Sequence, residues 1–208
     1  MLDYSNREVG VHYLRKPAVT APVTPARNAW RNPGHESNSN NPHSWINHHM
    51  NEPAFQDYYP DELSHCYGCG RLNEQGLQLK SRWDGEETVA VFHPRAYHIA
   101  IPGYVYGGLL ASLIDCHGTG TASAAAYREA GRPMGSEPPF RFVTASLQVD
   151  YLRPTPMGVP LEIRGRVQEV KGRKVVVSAT VTANGVVCAR GQVVAVQMPE
   201  NMIPRDAG

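Results

Sequence analysis

One helix-length pattern sits in a chain whose other ordered patterns are strand-length, and that imbalance limits the folds available. Over residues 105–130, Leu109, Leu110, Leu113 and Ile114 recur at helical spacing, and an alanine-rich run follows over 122–126. Arg128 suits the negative end of a helix dipole, and Gly131 followed by Pro133 stops the helix. The flanking patterns are β. Residues 77–83 alternate, Asp84-Gly85 signals a turn, and 88–92 reads as a second strand. Downstream, Val143, Ala145, Leu147, Val149 and Tyr151 alternate with Thr144, Ser146, Gln148 and Asp150, until Pro154 and Pro156 end the strand. Leu161, Ile163 and Val167 begin the next, which runs to a turn at Lys171-Gly172. Val175, Val177, Ala179 and Val181 form another, and Asn184-Gly185 is a strong hairpin signal before a last strand at 186–197. One helix cannot cover both faces of a six-stranded sheet. Hairpin links pair strands antiparallel, so the sheet must curl around the helix. The expected class is α+β, with five to six antiparallel strands wrapped around one long central helix. Gly118 and Gly120 lie inside that helix. Each costs about 1 kcal/mol relative to alanine, which a tight wrap of sheet on helix would explain.

The ordered patterns begin near residue 57. Residues 1–56 hold Pro17, Pro22, Pro25, Pro33, Pro42 and Pro53, and residues 32–41 carry no large apolar side chain. Such a segment cannot offset its chain entropy alone. It is expected as an extended arm, anchored on the rest by Trp30, Trp45, Ile46 and Phe55. The domain proper is placed at 57–199, with a tail at 200–208. The His43, His48 and His49 group lacks Cys or carboxylate partners at ligand spacing and reads as polar surface rather than a metal site. Twenty basic and 19 acidic side chains leave a net charge of +1, so bulk charge calls for neither nucleic acid nor an anionic membrane. No apolar stretch is long enough to span a bilayer, and the N-terminus lacks the apolar segment of a secretory signal. The four cysteines are expected as reduced thiols, and the location as cytoplasmic.

Chemistry concentrates around the start of the helix. Gly107 and Gly108 fall where it begins, and the first N–H groups of a helix lack partners and point outward with the positive end of the dipole. They are either a hole for a carbonyl oxygen turning negative or a plain glycine-rich helix start. Asp115 follows two apolar residues, so it is either functional or a hydrogen-bonded structural carboxylate. Eight residues of helix separate Asp115 from Gly107, about 12 Å at 1.5 Å per residue. One substrate carbonyl cannot touch both on one chain. Two antiparallel helices across a two-fold axis would bring Gly107 of one chain to Asp115 of the other. Thr119 lies one turn beyond Asp115 on the same face. His117, two residues on, points away from Asp115 and reads as structural or surface, and Cys116 as a small buried thiol. Cys66-Tyr-Gly-Cys69 is a lone C-x-x-C. Zinc needs four ligands, and with Cys116 in the helix and Cys188 in a late strand, a tight turn through Gly68 and Gly70 is expected instead. No metal is expected. Arg164, Arg166, Lys171, Arg173 and Lys174 cluster around one hairpin, either to hold phosphates or as a solvated strand face.

Three segments then carry a resemblance, covering about 64–197. Cys66-Tyr-Gly-Cys-Gly-Arg-Leu-Asn73-Glu-Gln-Gly76-Leu77 is similar to a C-x-G-C-G-x-x-N-x-x-G-L lead-in. Gly103-Tyr-Val-Tyr-Gly107-Gly108, followed after six residues by Asp115, is similar to a G-x-x-H-G-G-(x)6-D/E motif. The segment from Val143-Thr144 to Arg153-Pro154 is similar to a T-x-x-L-x-V-x-Y-x-R-P strand. The chain resembles the hotdog-fold acyl-CoA thioesterases, in the PaaI-like branch of the 4-hydroxybenzoyl-CoA thioesterase superfamily. The resemblance implies a helix wrapped by an antiparallel sheet, a homodimer or a dimer of dimers, and acyl-CoA hydrolysis with no cofactor beyond the CoA of the substrate. It implies that Gly107 N–H, with Gly108, polarises the thioester carbonyl. Asp115 of the partner chain is then nucleophile or base, assisted by Thr119 or Thr144. Tyr106, which replaces the family histidine, joins Asn73, Arg153, Arg173 and Lys174 as expected substrate-binding residues. The alternative is a non-catalytic acyl-CoA-binding or sensing protein of the same fold. A hydratase is disfavoured, because no histidine shares the helix face of Asp115.

Overall fold

The computed structural model describes residues 52–199 and 202. Trp30, Trp45, Ile46, the three histidines at 43, 48 and 49, and nearly all of the 200–208 tail lie outside them.

Alternating apolar side chains build the sheet. Strand β1 spans Ser81–Asp84 and β2 spans Glu87–Phe92. A short hairpin follows, β3 at Ile99–Ile101 and β4 at Tyr104–Val105. After the helix come β5 at Phe142–Tyr151, β6 at Leu161–Lys171, β7 at Lys174–Ala183 and β8 at Val186–Gln197. Six of these form one sheet in the order β1-β2-β6-β7-β8-β5. Every pairing in it is antiparallel. In β7 the inward positions Val175, Val177, Ala179, Val181 and Ala183 are buried while their neighbours are only partly covered, as a strand with one face on a core requires. Asn184 and Gly185 both take positive φ, 49° and 74°, which gives the tight β7–β8 turn its backbone.

Helix α1 spans Gly107–Glu129. Leu109, Leu110, Leu113 and Ile114 are buried, and so are most residues from Cys116 to Ala125. A helix covered nearly all round needs a sheet that curls over it, and α1 packs against β5, β6, β7 and β8. At Gly118 the strand comes so near that a methyl group would lie 2.5 Å from Val193 Cγ2, which accounts for glycine there. The helix ends at Ala130, whose N–H donates to Ala126 O, and Gly131 leaves it at φ 61°. Arg128 lays its guanidinium over the Trp83 ring, 3.4 Å from the centroid, and so ties the helix end to β1.

The fold expected from sequence is present, with two adjustments. The first alternating segment is regular strand only over Ser81–Asp84, because residues 66–79 turn back on themselves through main-chain bonds. The β3–β4 hairpin was too short to carry a periodic signal. Phe55, expected as an anchor, sits in a 3₁₀ turn over Phe55–Tyr58 and is buried edge-on against Trp83 at 5.6 Å. Among the described residues, no helix is long and apolar enough to cross a membrane.

Candidate active site

The sequence Tyr106-Gly107-Gly108 sets the start of α1. Tyr106 is the N-cap residue in extended backbone; its N–H donates to His98 O at 2.8 Å, and its carbonyl accepts from Leu109 N–H at 3.0 Å. The N–H groups of Gly107 and Gly108 therefore open the helix without intrahelical partners. Two tyrosines flank them. The Tyr106 ring stands so close to Gly108 that a side chain there would overlap it. From β5, the Tyr151 hydroxyl donates to Gly107 O at 2.9 Å. A cleft of about 360 Å³ opens here, lined among others by Val105, Gly107, Tyr151, Arg153 and Thr155. The Thr155 hydroxyl is buried there without a hydrogen-bond partner among the described residues, which is costly unless a ligand or water completes it. A second cleft, of about 370 Å³, lies between residues 76–82 and β2; its lining includes neither Gly107 nor Asp115.

Asp115 sits two turns into α1, half-buried, beside the fully buried Ile114. Thr144, the third residue of β5, donates its hydroxyl to Asp115 Oδ1. That bond fixes one carboxylate oxygen and leaves the second for another partner. Thr119 does something different: its hydroxyl donates back to the helix carbonyls of Asp115 at 3.1 Å and Cys116 at 3.3 Å. Of the two candidate threonines, Thr144 is the one on the carboxylate.

The remaining residues singled out in the sequence divide. Arg153 lines the Gly107 cleft. Asn73 instead builds its own loop, donating to His65 O at 3.3 Å and accepting from Gln75 N–H at 3.1 Å. Arg173 and Lys174 lie at the β6–β7 turn, where Arg173 donates to Gln197 O and Lys174 pairs with Glu169 at 2.9 Å. Arg164 is held by Glu162, Asp84 and Glu87, and Arg166 by Glu87. Arg164, Arg166 and Lys174 are thus held by carboxylates of their own and neighbouring strands. The roles of Tyr151 and Thr155 had escaped sequence reasoning. Tyr151 carried a strand signal and the tyrosine position of the third motif but no sign that it meets the helix start, and Thr155 stands between two prolines that mark a strand end.

His117 is structural. It is fully buried, with Nδ1 2.9 Å from Ser81 Oγ and Nε2 3.0 Å from Thr88 Oγ1. Burial pushes its pKa down to about 4. The network continues from Thr88 to Thr121 at 2.6 Å and from Ser81 to Gln56, whose amide also accepts Ser81 N–H at 2.8 Å.

With this geometry in place, known proteins supply a frame. The family described as the thioesterase superfamily matches residues 102–195, which include Gly107, Asp115 and Thr144. A crystal structure of a thioesterase superfamily protein from Shewanella loihica is 53% identical, covers 68% of this chain and 100% of its own, and superposes with a TM-score of 0.52. The acyl-coenzyme A thioesterase THEM4 of Xenopus laevis is 32% identical over 96 residues, 46% of this chain and 37% of that protein. THEM4 of Rattus norvegicus is 28% identical over 125 residues, 58% of this chain and 48% of that protein. The chain thus spans less than half the length of these curated relatives. An identity of 53% over the whole of the Shewanella protein, on the same wrapped-helix architecture, decides the family: the chain belongs to the thioesterase superfamily.

Proposed function

We propose that this protein is an acyl-CoA thioesterase whose two active sites are each shared between two copies of the chain. The observation that carries the reading is the pairing of an open helix start at Gly107-Gly108 with a half-buried Asp115 carboxylate braced by Thr144. The two lie about 12 Å apart along one helix, so each chain offers two half-sites. Support for a second copy comes from β5. It forms one edge of the sheet, is ten residues long, and exposes Leu147 and Tyr151; Ile101, Tyr104 and Tyr106 also leave apolar surface open. A long unpaired edge with apolar side chains is a surface that proteins normally cover.

In this reading the thioester carbonyl oxygen points at the Gly107 and Gly108 N–H groups. These stabilise the negative charge that develops there. Asp115 of the partner, held by its own Thr144, either takes a proton from water or attacks the carbonyl carbon itself. In the first course the hydroxide adds to the carbonyl carbon and the C–S bond breaks, the CoA sulfur taking the proton held by Asp115. In the second the C–S bond breaks to leave a mixed anhydride on Asp115, which water then hydrolyses, its protons going to the CoA sulfur and the acid. Both consume one water and release CoA as the thiol and the acyl group as its acid. Arg153 at the mouth of the cleft and the free Thr155 hydroxyl inside it suit the polar parts of the substrate. Tyr106, in place of the family histidine, keeps a hydroxyl donor beside the helix start.

The test is release of free thiol from short-chain, long-chain and aryl acyl-CoAs by wild type and Asp115→Asn side by side. Turnover by wild type, lost in a folded Asp115→Asn protein, supports the reading. Undiminished turnover in the variant overturns it. Tight acyl-CoA binding without turnover by either protein would assign the chain to ligand sensing instead.

A further inference from the structure

The lone C-x-x-C of the sequence is not alone in the fold. Helix α1 carries Cys116 to the Cys66–Cys69 turn, and the three sulfurs lie within 4.8 Å of one another. Cys66 Sγ is 3.7 Å from Cys116 Sγ. A tetrahedral ion with Zn–S bonds near 2.3 Å holds its sulfurs about 3.8 Å apart. The turn is shaped for this approach. Gly68 faces Cys116, and any side chain at that position would overlap its sulfur. Main-chain bonds fix the loop: Gly70 N–H to Cys66 O at 2.8 Å, Leu72 N–H to Ser64 O at 3.0 Å and Leu79 N–H to Gly68 O at 3.0 Å.

Cys69 and Cys116 are buried, while Cys66 faces solvent.

We infer that Cys66, Cys69 and Cys116 form a binding site for a thiophilic divalent cation, Zn²⁺, with its fourth position open to solvent beside Cys66. Three sulfurs and no carboxylate among the clustered ligands select a soft or borderline ion over Mg²⁺ or Ca²⁺. The ion would clamp the 64–79 loop onto α1 at the residue next to Asp115. This overturns the premise that kept Cys116 apart from the pair: separation in sequence is cancelled by the packing of the loop on the helix.

The 208-residue chain, purified without a metal-affinity step and fully reduced, is titrated with Co²⁺. Expected are one equivalent per chain, thiolate-to-cobalt charge transfer in the near ultraviolet, tetrahedral d–d bands, and displacement of all three signals by Zn²⁺. Cys66→Ser, the exposed ligand and the variant least able to disturb folding, loses the charge-transfer band or weakens binding at least about tenfold. Cys116→Ser does the same, whereas Cys188→Ser, outside the cluster, leaves it unchanged. Folded, reduced wild type without the charge-transfer band overturns the inference, as does a band that survives both Cys66→Ser and Cys116→Ser. So does a disulfide within the trio in protein that takes up no Co²⁺ after reduction, which would make it a redox pair.

Discussion

Thr144 and His117 show what single residues contribute here. Thr144 donates to Asp115 Oδ1 from a strand, so it can hold the carboxylate without lying on the helix. Thr144→Val keeps the shape and removes the donor. The expected outcome is a fall in kcat of about 10- to 100-fold with a smaller change in KM, since a positioning bond of this kind acts on the reacting state. An unchanged kcat would remove Thr144 from the mechanism. His117 gives a pH signature of the fold itself. Its pKa is about 4 in the folded chain, against an ordinary 6.5. Between those values the unfolded chain binds the extra proton and the folded chain does not, so stability rises with pH across this window. The contribution is complete above pH 6.5 and is lost as pH falls through 4, to the extent of about 3 kcal/mol from the size of the shift. Urea midpoints measured from pH 4 to 7 should climb in wild type and flatten in His117→Gln; parallel curves would place the effect elsewhere.

Among the elements, α1 has a composition that its packing explains. Gly118 is unfavourable for an isolated helix but required beneath Val193. Gly118→Ala should therefore destabilise by about 1–3 kcal/mol despite alanine's better propensity, and adding Val193→Ala should recover part of the loss. Destabilisation by the single variant without recovery in the double would mean the helix is not held off the sheet at this contact. The helix was legible because its leucines and alanines repeat over many turns, and its stop at Gly131 was written in a residue free to take positive φ. β7 was legible for the same reason, its valines and alanines alternating without interruption. The Gly107-Gly108 and Asp115 positions stood out through the motif they share. What could not be read was long-range and geometric. Thr155 depends on which wall of a cleft it joins, Tyr151 on the helix start meeting the end of β5, and Cys116 on a loop folding onto α1. The β3–β4 hairpin pairs too few residues to leave a period.

At the scale of the whole molecule, the proposed sharing of each site between two copies, with its halves two turns apart on one helix, has a consequence that a single-chain site lacks. If Gly107-Gly108 of one copy works with Asp115 of another, two different inactive proteins can rebuild an active one. Asp115→Asn removes the carboxylate half and leaves the helix start intact. Gly108→Val drives a side chain into the Tyr106 ring and disorders the donor half, leaving Asp115 and Thr144 in place. Each homodimer should be inactive. Mixed, partly denatured together and refolded, the chains reassort; half the dimers are then hybrids, and each hybrid has one site with both halves native. Thiol release should return to about a quarter of wild type, the value two-fold symmetry and random pairing require. A site contained within one chain predicts no recovery at any mixing ratio. The return should also follow the square-law dependence on composition that pairing imposes, peaking at equal amounts of the two variants. Recovery with that profile would place the second copy inside the chemistry, and a flat baseline from two folded, mixing proteins would confine catalysis to one chain and leave the β5 edge for another partner.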